Sequence, residues 1–401
     1  MHAVVPIPLN SRYRHVKWTR SFFLIALAVF AIDFNQGVVN SVSTNFFRED
    51  LGVGGSQMGY FTAARELIGF LMFAVAAVTV SFSASKVAAV ALLIAAVGYG
   101  SYGQVHSFNQ LLLVAMVSSL GFHTWMQVYY VLGLSLADVG YEGRILGKLS
   151  SIGSIGTLLA MFMTFVIVGQ VGMRNMFLVS GSIVILAGVG LFFVPKNPRL
   201  VRQRGFVFKR RYWLYYVLNF LDGCRAEIFM TFALFTLVDI YHVSVQSITL
   251  LLMTNAILMW FAAPRFGAWI DRIGERPVLT VAYSMSALVF LAFAFVPNVV
   301  VLVMMYAVYS VFGVAMIARN TYLKKIADPT DVSPSLAMGV SMMHVAAVIV
   351  PIAGSILWQF FGYQMSFLFG AAFIIISIGV TQLMRVRLPV PVALAQSIEN
   401  G

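Results

Sequence analysis

Long apolar runs recur along this chain, and no other feature of the sequence constrains its fold as strongly. A helix crosses a bilayer with roughly 20 mostly apolar residues. Twelve such stretches, parted by polar or turn-rich breaks, fall at about 20–46, 57–80, 86–105, 110–137, 144–169, 174–194, 212–238, 246–270, 277–296, 299–323, 333–358 and 363–385. Spread over 401 residues they leave about 33 residues for each span with its loop, so no sizeable soluble domain fits between them. Only 10% of the residues are charged, against about a quarter in a soluble domain. With 60% hydrophobic residues the chain is also too apolar to remain disordered. The expected fold class is an all-α membrane protein with twelve transmembrane helices.

The formal charge of +12 invites a nucleic-acid reading, but the placement of the 26 Lys and Arg residues argues otherwise. With the N-terminus in the cytoplasm, Arg12, Arg14, Lys17, Arg20, Lys86, Arg144, Lys148, Arg265, Arg272, Arg276, Lys324, Lys325, Arg385 and Arg387 all fall on the cytoplasmic side. Only Arg48 and Arg174 fall in outside loops. That asymmetry follows the positive-inside rule, puts both the N- and C-termini in the cytoplasm, and makes anionic lipid the partner of the basic loops, with no nucleic acid required. The first span is too long for a secretory leader and lacks a small-residue cleavage site, so it is expected to stay as a helix. Cys224 is the single cysteine, which excludes a disulfide framework and a thiolate metal cage.

The longest polar stretch, Pro195 to Arg211, holds seven basic residues and marks a boundary between an N-terminal six-helix bundle (1–195), a basic linker (196–211) and a C-terminal six-helix bundle (212–401). The halves resemble each other. A shift of 189 lays Asp33 on Asp222, Asp50 on Asp239 and Gln57 on Gln246. A shift of 190 lays Gly172, Phe177 and Leu178 on Gly362, Phe367 and Leu368. Parallel repeats of six helices are a transporter construction with the substrate site between the halves near the midplane.

Between the eighth and ninth spans the chain reads Gly267-Ala-Trp-Ile-Asp271-Arg272-Ile-Gly274-Glu-Arg276-Pro277. With twelve spans and an internal duplication, this loop resembles the signature loop of the major facilitator superfamily, and the resemblance covers the whole chain. It implies a gating role for Gly267, Asp271, Arg272, Gly274 and Arg276. The family usually repeats the loop between the second and third spans. Here that stretch is Val80-Ser-Phe-Ser-Ala-Ser-Lys86, without Asp, Arg or a glycine pair, so any latch of this kind belongs to the C-terminal half. In the fifth span the small residues from Gly147 to Thr157 suit close helix packing.

Ionisable groups at membrane depth cost about 2.5–3.5 kcal/mol on insertion scales, so each is a functional candidate. The first span offers Asp33, Asn35 and Gln36, with Asn40 one turn beyond Gln36. The second offers Arg65 and Glu66, roughly 12 Å from the outer end and about 100° apart around the helix, so they need not neutralise each other. The seventh carries Asp222, Arg225 and Glu227; the i,i+3 spacing lets the first two meet, and Gly223 gives the backbone freedom expected where a transporter helix is broken or bends during the cycle. Arg319 lies five residues before Lys324, close enough either to snorkel to the cytoplasm or to serve as a midplane cation. His123 and His344 sit near mid-span, and imidazole titrates in the physiological range.

These acids and bases nearly balance, which fits a small polar or anionic substrate. The sequence is therefore read as a secondary active transporter working by alternating access, neither an enzyme nor a cofactor protein. Proton coupling, a monomeric working unit and a bacterial inner (cell) membrane are expected. Asp33 has only amides nearby on its own helix and is the acid favoured to bind the proton. No metal site is assigned, although Asp33, Cys224 and His344 would be the ligands in a rival divalent-metal carrier. Two further rivals are a drug efflux carrier of the same fold and a non-transporting receptor or scaffold.

Overall fold

The computed structural model describes residues 19–79, 81–137, 141–194 and 208–385. Arg12, Arg14 and Lys17, the linker up to residue 207, and Arg387 lie outside these. Each apolar run of the sequence falls on one helix. In the N-terminal half these are α1 (Arg20–Asp50), α2 (Gly55–Thr79), α3 (Ala84–Gln104), α4 (Phe108–Ser135), α5 (Glu142–Val171) and α6 (Met173–Leu191). In the C-terminal half they are α7 (Trp213–Asp239), α8 (Val245–Ile273), α9 (Glu275–Phe295), α10 (Val299–Ile326), α11 (Pro329–Phe361) and α12 (Tyr363–Thr381). All but α7 are apolar enough to cross a membrane on composition alone. The exception carries Asp222, Arg225 and Glu227 in its middle.

Local chemistry sets the helix ends. Thr19, Ser107 and Ser244 accept from backbone N–H groups three residues on, and Asn298 does so for Val300 and Val301 at 3.0 and 3.2 Å, satisfying donors that a helix start leaves without partners. Gly172, Gly274 and Gly362 join α5 to α6, α8 to α9 and α11 to α12 at φ of +81°, +85° and +85°, where a side chain would be strained. The first and last are the two members of the repeat seen in the sequence.

Packing follows the same repeat. Within the first half α1 lies against α5 and α6, and α3 against α4 and α6; within the second α7 lies against α11 and α12, and α9 against α10 and α12. The halves meet through α2 with α11 and α5 with α8, two pairs that exchange under the six-helix shift. Small residues make the close approaches. Ser355 on α11 accepts from the Gly59 N–H at 2.8 Å and donates to the Gly55 carbonyl at 3.1 Å, and Trp358 covers Gly55. Gly153 and Gly156 on α5 let it press against α1, as the small-residue run suggested.

The halves converge at the end that carries the α1–α2 and α7–α8 loops. There Asn45 donates to the Val243 carbonyl at 2.9 Å, Arg48 pairs with Asp239, and Thr231 donates to Thr62 at 3.1 Å. At the other end a Cβ at Gly143, Gly147 or Gly267 would meet no atom within 4 Å, as is also true of Gly52 in the α1–α2 loop.

Of the break or bend expected at Gly223, no break is found. Helix α7 runs through it, and the absent side chain instead lets α7 approach α11, where a Cβ would sit 3.0 Å from the Met343 Cα. Irregular turns occur elsewhere: α1 ends in a wide turn at Phe46–Asp50, α2 is interrupted at Leu71, and α10 tightens at Val314–Met316.

Candidate functional site

Three groups of polar side chains sit inside the helix bundles, and they differ in what surrounds them. The first lies within the C-terminal half. Asp222 on α7 accepts from Arg225 at 2.5 Å and pairs with Arg319 of α10 at 2.7 Å, and all three side chains are at most 8% exposed. Arg319 therefore does not snorkel, because a buried carboxylate already satisfies it. The Arg225 guanidinium also lies 4.9 Å from the Tyr309 ring centroid, a cation–π contact that offsets the surplus cation. Two guanidinium groups thus surround one carboxylate, and the buried Arg225 Nη1 has no hydrogen-bond partner among the described residues.

The second group lies within the N-terminal half. Asp33 is half-buried on α1, over Gly153 of α5, where a Cβ would fall on its carboxylate. No hydrogen bond or ion pair to its carboxylate is found among the described residues. One turn on, Gln36 donates to the Tyr99 hydroxyl of α3 at 2.9 Å. Asn35 leaves this face: it is fully buried and donates to Ser180 of α6 at 2.9 Å, within the bundle.

The third group joins the halves. Glu66 on α2 meets His344 of α11 at 3.1 Å, with the two side chains 17% and 27% exposed. His123 of α4 completes the group, its ring centroid 5.9 Å from that of His344. The His123 Nδ1 lies 2.9 Å from the Ser119 carbonyl, while Ser119 Oγ donates to the Arg65 carbonyl at 2.7 Å. Arg65 places its guanidinium 5.6 Å from the Phe61 ring centroid and keeps a buried Nε–H with no hydrogen-bond partner. Glu227 of α7 is within electrostatic reach of Arg65 and Glu66. The two adjacent residues Arg65 and Glu66 thus diverge, as their helical spacing allows.

Of the residues singled out in the sequence, Arg65, Glu66, His123, Glu227 and His344 come together at the interface. Asp222, Arg225 and Arg319 cluster apart, and Asp33 and Gln36 line the N-terminal bundle. Asp33, Cys224 and His344 do not form one group; Cys224 is fully buried in the core. Tyr99 and Ser119 were not singled out, since a hydroxyl inside an apolar run barely alters its hydropathy. Glu275, inside the signature loop, is 1% exposed and pairs with Lys325 of α10 at 2.6 Å. In the same loop Arg276 donates to Gln382 beyond α12, while Asp271 and Arg272 are exposed and have no ion pair among the described residues.

Two bundles of six helices, related by a repeat and facing each other across buried charges, define a multi-pass membrane transporter. The family model described as Major Facilitator Superfamily matches residues 25–221 and 215–399, and the chain belongs to that superfamily. An uncharacterized MFS-type transporter of Methanocaldococcus jannaschii, MJ1317, is 25% identical over 193 residues, covering 47% of this chain and 45% of that relative. The match thus spans less than half the relative's length. Among solved structures, the nucleoside transporter NupG superposes with a TM-score of 0.75 at 16% identity, over 91% of this chain and 99% of that one. A D-xylose-proton symporter superposes with a TM-score of 0.69 at 13% identity, over 91% and 97%. At these identities the likeness is one of fold.

Proposed function

We propose that this protein is a proton-coupled carrier of a small polar or anionic solute, working by alternating access around the Arg65, Glu66, His123, Glu227 and His344 group. One observation carries the reading: the Glu66–His344 contact is a titratable bridge between the two halves at membrane depth. Proton uptake or release there changes the attraction between α2 and α11, and so changes the balance between conformations. A charge anywhere within one bundle lacks that leverage. For this reason the proton is assigned to the Glu66–His344 pair rather than to Asp33, the acid the sequence favours.

The unpartnered Arg65 Nε–H supports the solute class, since a buried guanidinium donor is a ready partner for a carboxylate or phosphate. Closure at the α1–α2 and α7–α8 loops corresponds, with cytoplasmic termini, to a carrier open to the cytoplasm. On that side Asp271 is exposed, as a latch is while its side stands open. A bacterial inner membrane remains the proposed location.

The test begins with a thermal-shift screen of purified protein against nucleosides, sugars, carboxylates and sugar phosphates, because a ligand that prefers the folded site raises stability by mass action. The hit is then followed by uptake into proteoliposomes with and without an imposed pH gradient. Glu66→Gln and His344→Gln are expected to abolish gradient-driven accumulation while Asp33→Asn retains it. Accumulation that persists in both interface variants would overturn the proton assignment. Arg65→Gln is expected to cost an anionic solute at least tenfold in affinity, and unchanged affinity would overturn the anion assignment.

A further inference from the structure

We propose that Glu66, His123 and His344 form a divalent transition-metal site that ties the two halves together. One ligand atom from each of these residues can be chosen so that all three lie within 4.8 Å of one another. The Glu66–His344 separation of 3.1 Å is close to the spacing of neighbouring ligand atoms around an ion held at about 2.0–2.2 Å, as zinc is. Two imidazoles and one carboxylate with an open position is a ligand set that zinc and related divalent ions take.

Three further observations fit a site rather than a chance meeting. First, the His123 Nδ1 lies 2.9 Å from the Ser119 carbonyl and 3.0 Å from the Ser119 hydroxyl, whose own proton goes to the Arg65 carbonyl; the tautomer that donates from Nδ1 to these oxygens leaves the lone pair on Nε2. A metal-binding histidine is usually oriented in just this way, by a carbonyl on its second nitrogen. Second, Nε2 points over Gly69, one turn from Glu66 on the same face of α2, and a Cβ at Gly69 would come within 2.8 Å of it. The position next to the free lone pair is thus kept clear. Third, Glu66 and His344 are partly exposed, so the ligand atoms are not sealed within a packed core. The nearby Arg65 opposes a cation, and the Glu66 carboxylate offsets it one for one with both histidines neutral.

Because the ligands come from α2 and α4 on one side and α11 on the other, a bound ion clamps the halves in the conformation described here. The site does not depend on which solute is carried.

The experiment is a Zn²⁺ titration of the tag-free protein in detergent against a chromophoric chelator, with X-ray absorption of the loaded sample. One ion per chain is expected, with two imidazoles in its coordination shell. His123→Gln and His344→Gln should each weaken binding at least tenfold, while His106→Gln and His242→Gln leave it unchanged. Gly69→Ala should weaken it too. Unfolding midpoints without metal identify any variant that fails to fold, and in the folded ones the zinc-induced rise in midpoint should vanish. Absence of saturable binding, or equal affinity in wild type and both interface variants, would overturn the site.

Discussion

The repeat places an aspartate at the same position in α1 and α7, yet the two halves treat it in opposite ways. Asp222 has Arg225 three residues on and receives Arg319 from α10, so its charge is matched inside its own bundle. Asp33 has Gln36 at the corresponding place, and Gln36 turns to Tyr99 instead. One aspartate is the centre of a buried ionic knot, and the other is half-buried without a cation. The difference teaches that charge at membrane depth has two uses here. The C-terminal bundle pairs its aspartate with two of its own arginines and leaves one buried Arg225 N–H without a partner, while the N-terminal aspartate has no cation beside it.

The largest effect expected from this contrast is on stability. Asp222→Asn leaves two buried guanidinium groups without a carboxylate and should cost about 3–5 kcal/mol, the range for breaking a buried ion pair. Asp33→Asn removes no ion pair and should stay within about 1 kcal/mol. Thermal unfolding in detergent compares the two directly, and equal losses would break the distinction.

A second contrast lies where the first helix of each half meets the fifth. Glycines sit on both helices of each pair, but Gly153 on α5 faces a carboxylate, that of Asp33, whereas Gly223 on α7 faces the backbone of Met343. Gly153→Ala and Gly223→Ala should each cost about 1–3 kcal/mol through overpacking. Gly153→Ala should in addition displace the Asp33 carboxylate, and pairing it with Asp33→Ala, which removes the carboxylate, tests this. A double variant no more stable than the sum of the single losses would show that the carboxylate is not what the methyl strikes.

The smallest effect on stability is expected at the signature loop. Asp271 is exposed and without an ion pair among the described residues, so Asp271→Asn should change stability by no more than about 0.5 kcal/mol. It should nevertheless slow flux, since a latch acts on the balance of conformations. Unchanged flux would remove Asp271 from the gate. Glu275→Gln, which strands Lys325 at a buried partner, should be the more destabilising of the two.

Much of this was legible in the sequence, for physical reasons that also mark the limit. Bilayer thickness fixes span length, so the twelve helices follow from apolar runs, and the i,i+3 spacing of Asp222 and Arg225 forecasts their contact. Arg319 joins them from another helix, and only packing brings it there. Glu66, His123 and His344 each stood out as a polar residue at depth, but their meeting depends on how α2, α4 and α11 pack across the halves. Gly223 misled because a glycine in a membrane helix signals a break and a close approach with the same letter. Nothing in α3 distinguished Tyr99 from an ordinary packing aromatic.

The central claim is that two bundles rock against each other and that the Glu66–His344 bridge biases the rocking. The most direct measurement is the distance between spin labels placed at Gly147 on α5 and Gly267 on α8, both at the end opposite the α1–α2 and α7–α8 loops, in a Cys224→Ala background, read by pulsed electron resonance. Two distance populations are expected in the wild type, the longer belonging to the conformation described here. Lowering the pH should change their proportions, and Glu66→Gln should remove that pH response. A single distance, unmoved by pH and by Glu66→Gln alike, would contradict the claim.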